Sequence, residues 1–327
     1  MSPHRLAIII VSFERGELTQ RCIESLRREA RIDYHIFLTD NGSHGEVTRA
    51  LLDQWERDPD ITLTRLPENS GPSTGRNHGL RRIDDSFSHI ALLDNDIVAL
   101  GGWDQAAIQA LDGQFDLIQP KLLEADLQRV ERGPNEERPG GMDANPHFIG
   151  RGAPRYAPEV SRCGPCDIVG SGIMRREVYE RVGQFDNRLQ IGEDFDYSFR
   201  ARSLGFRLGY VPECELIHDH GFEIGYDQER ARLEKYLRAH LILWQKHRKA
   251  LLSPAYLCWY SWLHFHDEPM YLPPGSRLRN LPQRLRRRWG RWRCMSRHEN
   301  FWQDRSAAEL ATAELALRLP RADRETV

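Results

Sequence analysis

Between residues 6 and 119 short apolar runs alternate with amphipathic stretches, and that rhythm confines the chain to few folds. Leu6–Val11 reads as a buried strand. Glu17–Ala30 carries Leu18, Cys22, Ile23 and Leu26 as one helical stripe. Tyr34–Thr39 is the next strand, and Glu46–Arg57 a helix with Val47, Leu51, Leu52 and Trp55 on one side. The pattern continues with a strand at Ile61–Leu66, a helix at Gly75–Ile83 and a strand at His89–Leu93. A helix at Trp103–Leu111 and a strand at Phe115–Gln119 complete it. Strand and helix in strict turn predict an α/β fold, an open, mostly parallel sheet with helices on both faces. Ligands of such sheets bind outside the carboxyl ends of the strands.

The rhythm breaks at Glu131–Glu159, rich in Pro and Gly, which reads as a long functional loop able to close over a substrate. It returns with order at Asp167–Met174, helices at Arg175–Val182 and Asp194–Leu204, and strands near Phe206–Val211 and Glu215–Ile217. After His220 the character changes. Gln228–Leu252 is a helical pattern, and Tyr256–Phe265 is dense in aromatics. Arg277–Arg297 holds nine arginines and no acidic residue, and Ser306–Leu319 is Ala- and Leu-rich. The expected division is a domain at 1–222 and a helical, Arg/Trp-rich region at 223–327.

With 327 residues and a net charge of -2, the chain has no overall drive toward nucleic acid. A hydrophobic content of 40% and a charged content of 29% fit a soluble globular protein. The first apolar run is too short for a signal peptide, and no stretch has the apolar length to span a bilayer. The expected location is cytoplasmic. Six scattered cysteines then default to free thiols. Cys163-Gly-Pro-Cys166 has half the spacing of a zinc site, lacks a second pair, and reads as a loop with two incidental thiols.

The chemistry concentrates at strand ends. Ile90–Leu93 leads into Asp94-Asn95-Asp96. Side chains at i and i+2 of an extended segment point to one side, so the two carboxylates can face one ligand. They repel unless a cation lies between them, and Mg²⁺ or Mn²⁺ on a phosphorylated substrate is the usual one. A strand-ending turn is the alternative. Ser12-Phe13-Glu14 follows the first strand, and Asp40-Asn-Gly-Ser43 the second. Asn69–Gly79 offers Gly71, two further glycines and Arg76 for phosphate approach. Glu193 and Asp194 open a helix, where acidic residues also serve as caps. His218 follows a short strand and can complete a carboxylate metal site.

Taken together, Ile8–Phe13, Asp40–Ser43, Asn69–Gly79, Asp94–Asp96, Glu193-Asp194 and Pro212–His218 resemble the family-2 glycosyltransferases of the GT-A, Rossmann-like fold across about residues 5 to 221. The resemblance implies a nucleotide diphosphate sugar donor, UDP favoured, and inversion at the anomeric carbon. It implies donor contacts from Ser12, Phe13, Glu14, Asp40 (base), Gly71, Arg76, Asp94 (ribose) and Asn95. It places Mn²⁺ or Mg²⁺ on Asp96 and His218, with Asp94 beside them and His220 in reserve. Asp194 is implied as general base, with Glu193 orienting it or the acceptor. The acceptor is a hydroxyl of a glycan, a lipid-linked saccharide or another molecule. Arg277–Arg297, with Trp289 and Trp292, reads either as a peripheral contact with anionic lipid or as a solvated basic helix. The Tyr256–Phe265 aromatics read as core or as a homodimer contact. The rival readings are a nucleotidyltransferase, for which the segment after the first strand lacks a basic Gly-rich loop, and a non-catalytic nucleotide-sugar-binding protein.

Overall fold

A computed structural model describes residues 4–136 and 147–219, together with Ala239, Ile242, Leu243, Lys246 and His247. The elements in chain order are β1 (Arg5–Ser12), α1 (Gly16–Glu29), β2 (Asp33–Asp40), α2 (Glu46–Trp55), β3 (Ile61–Arg65) and α3 (Pro72–Leu80). They continue with β4 (His89–Asp94), β5 (Ile97–Ala99), α4 (Trp103–Gly113), β6 (Leu117–Leu123), β7 (Val130–Arg132), β8 (Asn135–Glu136) and β9 (His147–Phe148). Last come β10 (Gly164–Pro165), β11 (Ile173–Arg175), α5 (Arg176–Val182), α6 (Glu193–Ser203) and β12 (Leu208–His218). His220, the Arg277–Arg297 segment and the Tyr256–Phe265 aromatics lie outside the described residues.

The main sheet runs β10-β12-β6-β11-β4-β1-β2-β3, with β5 paired to β12 and β7 to β6. Strands β3, β2, β1, β4, β6 and β12 point the same way, while β11 is inserted antiparallel between β4 and β6. Alternation along β1 explains the two layers. Leu6, Ile8 and Ile10 pack with Ile23 and Leu26 of α1 and Ala107 and Leu111 of α4. Ala7 and Ile9 face Leu80 of α3, Val178 of α5 and Tyr197 of α6. Helices thus cover both faces, as the alternation predicts.

Several elements differ from the sequence reading, among them α3, expected at Gly75–Ile83 and found at Pro72–Leu80. The fifth expected strand shifts to Leu117–Leu123, because Phe115 is buried just past the end of α4, its N–H bonded to the Ala110 carbonyl at 3.1 Å. The two expected late strands are one, β12, with a register shift between Val211 and Glu215. Pro212, which has no N–H to donate, stands in that irregularity. β5 has only three residues, too few to carry a period. Part of the expected loop is sheet, since β7 pairs with β6 and β8 with β9. No helix among the described residues is long and apolar enough to cross a membrane.

Candidate active site

β4 delivers Asp94 at its carboxyl end, and the turn to β5 places Asp96 two residues on. β12 pairs antiparallel with β5 so that His218 lies opposite Ile97. That register carries a histidine from the far end of the domain to the carboxylates. Asp94, Asp96 and His218 each offer a ligand atom within 4.8 Å of the others.

His218 presents Nε2 to Asp96 Oδ1 at 3.2 Å and Nδ1 to Glu131 Oε2 at 2.8 Å. Burial alone would depress the imidazole, but the two carboxylates outweigh it and raise its pKa to about 10. The donor set fits a divalent ion. Two carboxylates and an imidazole suit Mn²⁺ or Mg²⁺, and a carboxylate on the far ring nitrogen is the usual support for a ligating histidine. Arg15 Nη1 holds the other Asp96 oxygen at 2.9 Å.

Arg76 joins this group to the acidic start of α6. Its guanidinium is buried, with Nη2 on Asp94 Oδ1 at 2.8 Å and Nη1 on Glu193 Oε1. Burial opposes the charge on Arg76, yet Glu193 and Asp94 hold its pKa above the ordinary arginine value. Burial would also raise Asp94, but Arg76 and His218 keep its carboxyl below the usual range. For Glu193 burial wins. Arg76 lowers its pKa, Asp194 raises it, and the net shift is upward.

Asp194 is the less enclosed of the two, with a side chain 19% exposed against 11% for Glu193. Its Oδ2 is 3.4 Å from Arg132 Nη1, and its Oδ1 accepts the Phe195 N–H at 3.0 Å. Gly170 lines the same spot: a Cβ there would lie 2.7 Å from Asp194 Oδ2 and collide with Arg132. The next residue, Ser171, has a φ of 47° and donates its hydroxyl to Asp94 Oδ2 at 2.6 Å. A non-glycine residue in this region is strained, and such strain concentrates at functional sites.

Of the other residues expected to contact the donor, Ser12 has a buried hydroxyl bonded to Thr19 Oγ1 at 2.8 Å, which braces α1. Asn95 Nδ2 also donates to Thr19 Oγ1, at 3.0 Å. Phe13 is 40% exposed. Glu14 (φ 52°) accepts the backbone N–H groups of His44 and Gly45, which hold its carboxyl below the usual range. Asp40 is buried and accepts the Ser43 hydroxyl at 2.5 Å, capping its own loop. The glycines of Asn69–Gly79 serve packing. A Cβ on Gly75 would meet Val11 Cγ1 at 2.6 Å, and one on Gly79 would meet Ile9 Cγ2 at 2.9 Å. They let α3 lie close on β1, while Gly71 (φ 84°) opens the helix.

Sequence reasoning missed Arg15, Glu131, Arg132 and Ser171 as members of the site. The available signal for Glu131 and Arg132 was the Glu124-Ala-Asp126 turn after a buried strand, which marks a hairpin. Ser171 left no signal. The Cys163/Cys166 thiols are free, and Cys166 is buried against Asn135 and Ile168.

The glycosyl transferase family 2 model matches residues 7–183. A pre-mycofactocin glycosyltransferase of Mycobacterium tuberculosis is 28% identical over 162 residues, covering 49% of this chain and 33% of that relative. The match therefore spans about a third of the length of that curated relative. Among solved structures, GalNAc-T7 with UDP, GalNAc and Mn²⁺ superposes with a TM-score of 0.55 at 16% identity, over 75% of this chain and 49% of that one. Staphylococcus aureus TarS residues 1–349 with UDP-GlcNAc gives 0.50 at 13%, over 80% of each chain. These likenesses establish a shared fold. With more than half of its length matched by the family model, the chain belongs to glycosyl transferase family 2.

Proposed function

We propose that the chain is a metal-dependent, inverting glycosyltransferase, moving a sugar from a nucleoside diphosphate to an acceptor hydroxyl by one displacement. The reading is carried by the meeting of Asp94, Asp96 and His218 at the carboxyl end of β4. UDP is the favoured carrier, in keeping with the UDP and UDP-GlcNAc of the two similar structures. Asp94, Asp96 and His218 would hold Mn²⁺ or Mg²⁺. Such an ion, when bound, supplies Lewis-acid compensation of the charge on the departing diphosphate.

The protein's own groups do the rest. Asp194 takes the acceptor proton. Arg132 and the Phe195 N–H aim its carboxylate. A positioned base of this kind contributes about 10²–10⁴-fold. Glu193, tied to Arg76, orients the acceptor side. Arg76 also grips Asp94, so donor and acceptor sides belong to one ion network. Base and leaving group stand on opposite faces of the sugar, which inverts the anomeric centre without an enzyme nucleophile. The acceptor is a hydroxyl of a glycan or a lipid-linked saccharide.

The test measures donor consumption by the purified chain over a panel of nucleotide sugars, with and without Mn²⁺. A UDP-sugar should be turned over, and chelation should stop it. Asp194→Asn should keep donor binding and lose about 10²-fold or more in turnover. Asp96→Ala should lose Mn²⁺-dependent donor binding. Undiminished turnover in both variants would refute the assignment.

A further inference from the structure

A second group of metal-ligating side chains lies at the other end of the sheet. His4 precedes β1, His89 opens β4 in register with Leu6, and Asp112 stands in the last turn of α4. Each offers a ligand atom within 4.8 Å of the others. His4 Nε2 is 3.3 Å from Asp112 Oδ2, and the His4 and His89 ring centroids are 5.3 Å apart.

His89 is the decisive member. It is 4% exposed, and its Nε2 is buried with no hydrogen-bond partner. Leaving such a polar atom unsatisfied is costly, so native structures rarely do it without a reason. Ser88 Oγ lies 2.9 Å from His89 Nδ1, while it accepts the Arg5 N–H at 3.0 Å and lies 3.3 Å from the Arg5 carbonyl. Nδ1 is thus engaged, and Nε2 is the ring nitrogen left open to a ligand. A buried imidazole held by a hydrogen bond at one nitrogen and open at the other is the arrangement of a ligating histidine.

We propose that His4, His89 and Asp112 form a second metal site, for a divalent transition ion of the zinc class, separate from the carboxylate group at the opposite end of β4. Two imidazoles and one carboxylate suit zinc, whereas Mg²⁺ and Ca²⁺ favour sets in which oxygen predominates. The Asp112 side chain is 50% exposed and that of His4 24%, so the ion reaches the site from solvent and keeps water on its open side. The ligands come from the residue before the first strand, from a central strand and from a helix end. The site is a structural staple that pins residue 4 to β4 and α4.

Chelator-stripped full-length chain is titrated with ZnCl₂, and bound zinc is counted by elemental analysis alongside thermal melts. The Asp96→Ala/His218→Ala variant removes the carboxyl-end group and should still bind one zinc and melt higher with it. In that background His4→Ala, and separately Asp112→Asn, should weaken zinc by at least about 10-fold and abolish the rise. Asp112 is half exposed, so its variant reports on the site even where His4→Ala fails to fold. Zinc binding absent from the Asp96→Ala/His218→Ala variant, or unchanged by Asp112→Asn, would overturn the proposal.

Discussion

Arg76 shows how charge holds the candidate site together at the level of single residues. It is buried between Asp94 and Glu193, and a planar guanidinium can serve both carboxylates at once. Arg76→Met leaves the enclosed Glu193 and the partly exposed Asp94 without their common partner, at a cost of about 3 kcal/mol. Arg76→Lys restores a charge but not the fork, and should fall between Met and wild type in urea unfolding. A Met variant as stable as wild type would show that the pairing holds nothing together. Much of this residue-level detail was legible. Paired carboxylates after an apolar run announce themselves, and so does a histidine near a strand end. Arg15 and Ser171 did not, because neither lies on a periodic face, and their relevance comes from contacts with Asp96 and Asp94 that only the folded chain creates.

At the level of elements, β12 does the most to assemble the site, and its sequence is the hardest to read. The Pro212 irregularity splits its pattern, so one strand reads as two. Beyond it, Glu215 accepts Lys121 Nζ of β6 at 3.1 Å and pairs with Arg155, locking β12 to its neighbour just before His218. Burial would raise the Glu215 carboxyl, but Arg155 and Lys121 hold it below its ordinary value of 4.5. A carboxyl depressed in the folded state contributes stability that is present above its unfolded pKa and lost as pH falls through the folded one. Glu215→Gln, which removes the charge that compensates the buried Lys121, should therefore cost about 3 kcal/mol at pH 7. That deficit should shrink as pH drops below 4.5, because the wild type loses the same interaction by protonation. Denaturant melts of both proteins between pH 7 and 3 would measure it, and a deficit independent of pH would refute the ion-pair account. Helices α1, α2 and α4 were legible because each lays one stripe on the sheet. The three-residue β5 and the hairpin strand β7 were not, since their placement depends on pairing with β12 and β6.

For the whole molecule, the matched family segment and the complete site do not coincide. The match ends at residue 183, before α6 supplies Glu193 and Asp194 and before β12 supplies His218. The sheet has the same dependence. β12 lies in the body of the sheet between β10 and β6, and it buries Leu208, Tyr210, Val211, Cys214 and Leu216. Without it β6 becomes an unprotected edge, and the apolar face beneath α4 loses its cover. Strand order, unlike strand presence, leaves no mark in local sequence, because pairing partners are chosen by the folded whole. A fragment of residues 1–183 should therefore fail to fold cooperatively and should aggregate through the exposed edge. A fragment of residues 1–222, the boundary expected from the change in composition, should show a single cooperative melt and bind Mn²⁺ through Asp96 and His218. Circular dichroism melts of the two fragments decide the matter: a cooperative 1–183 fragment would mean that α6 and β12 are appended to a finished domain rather than required to complete it.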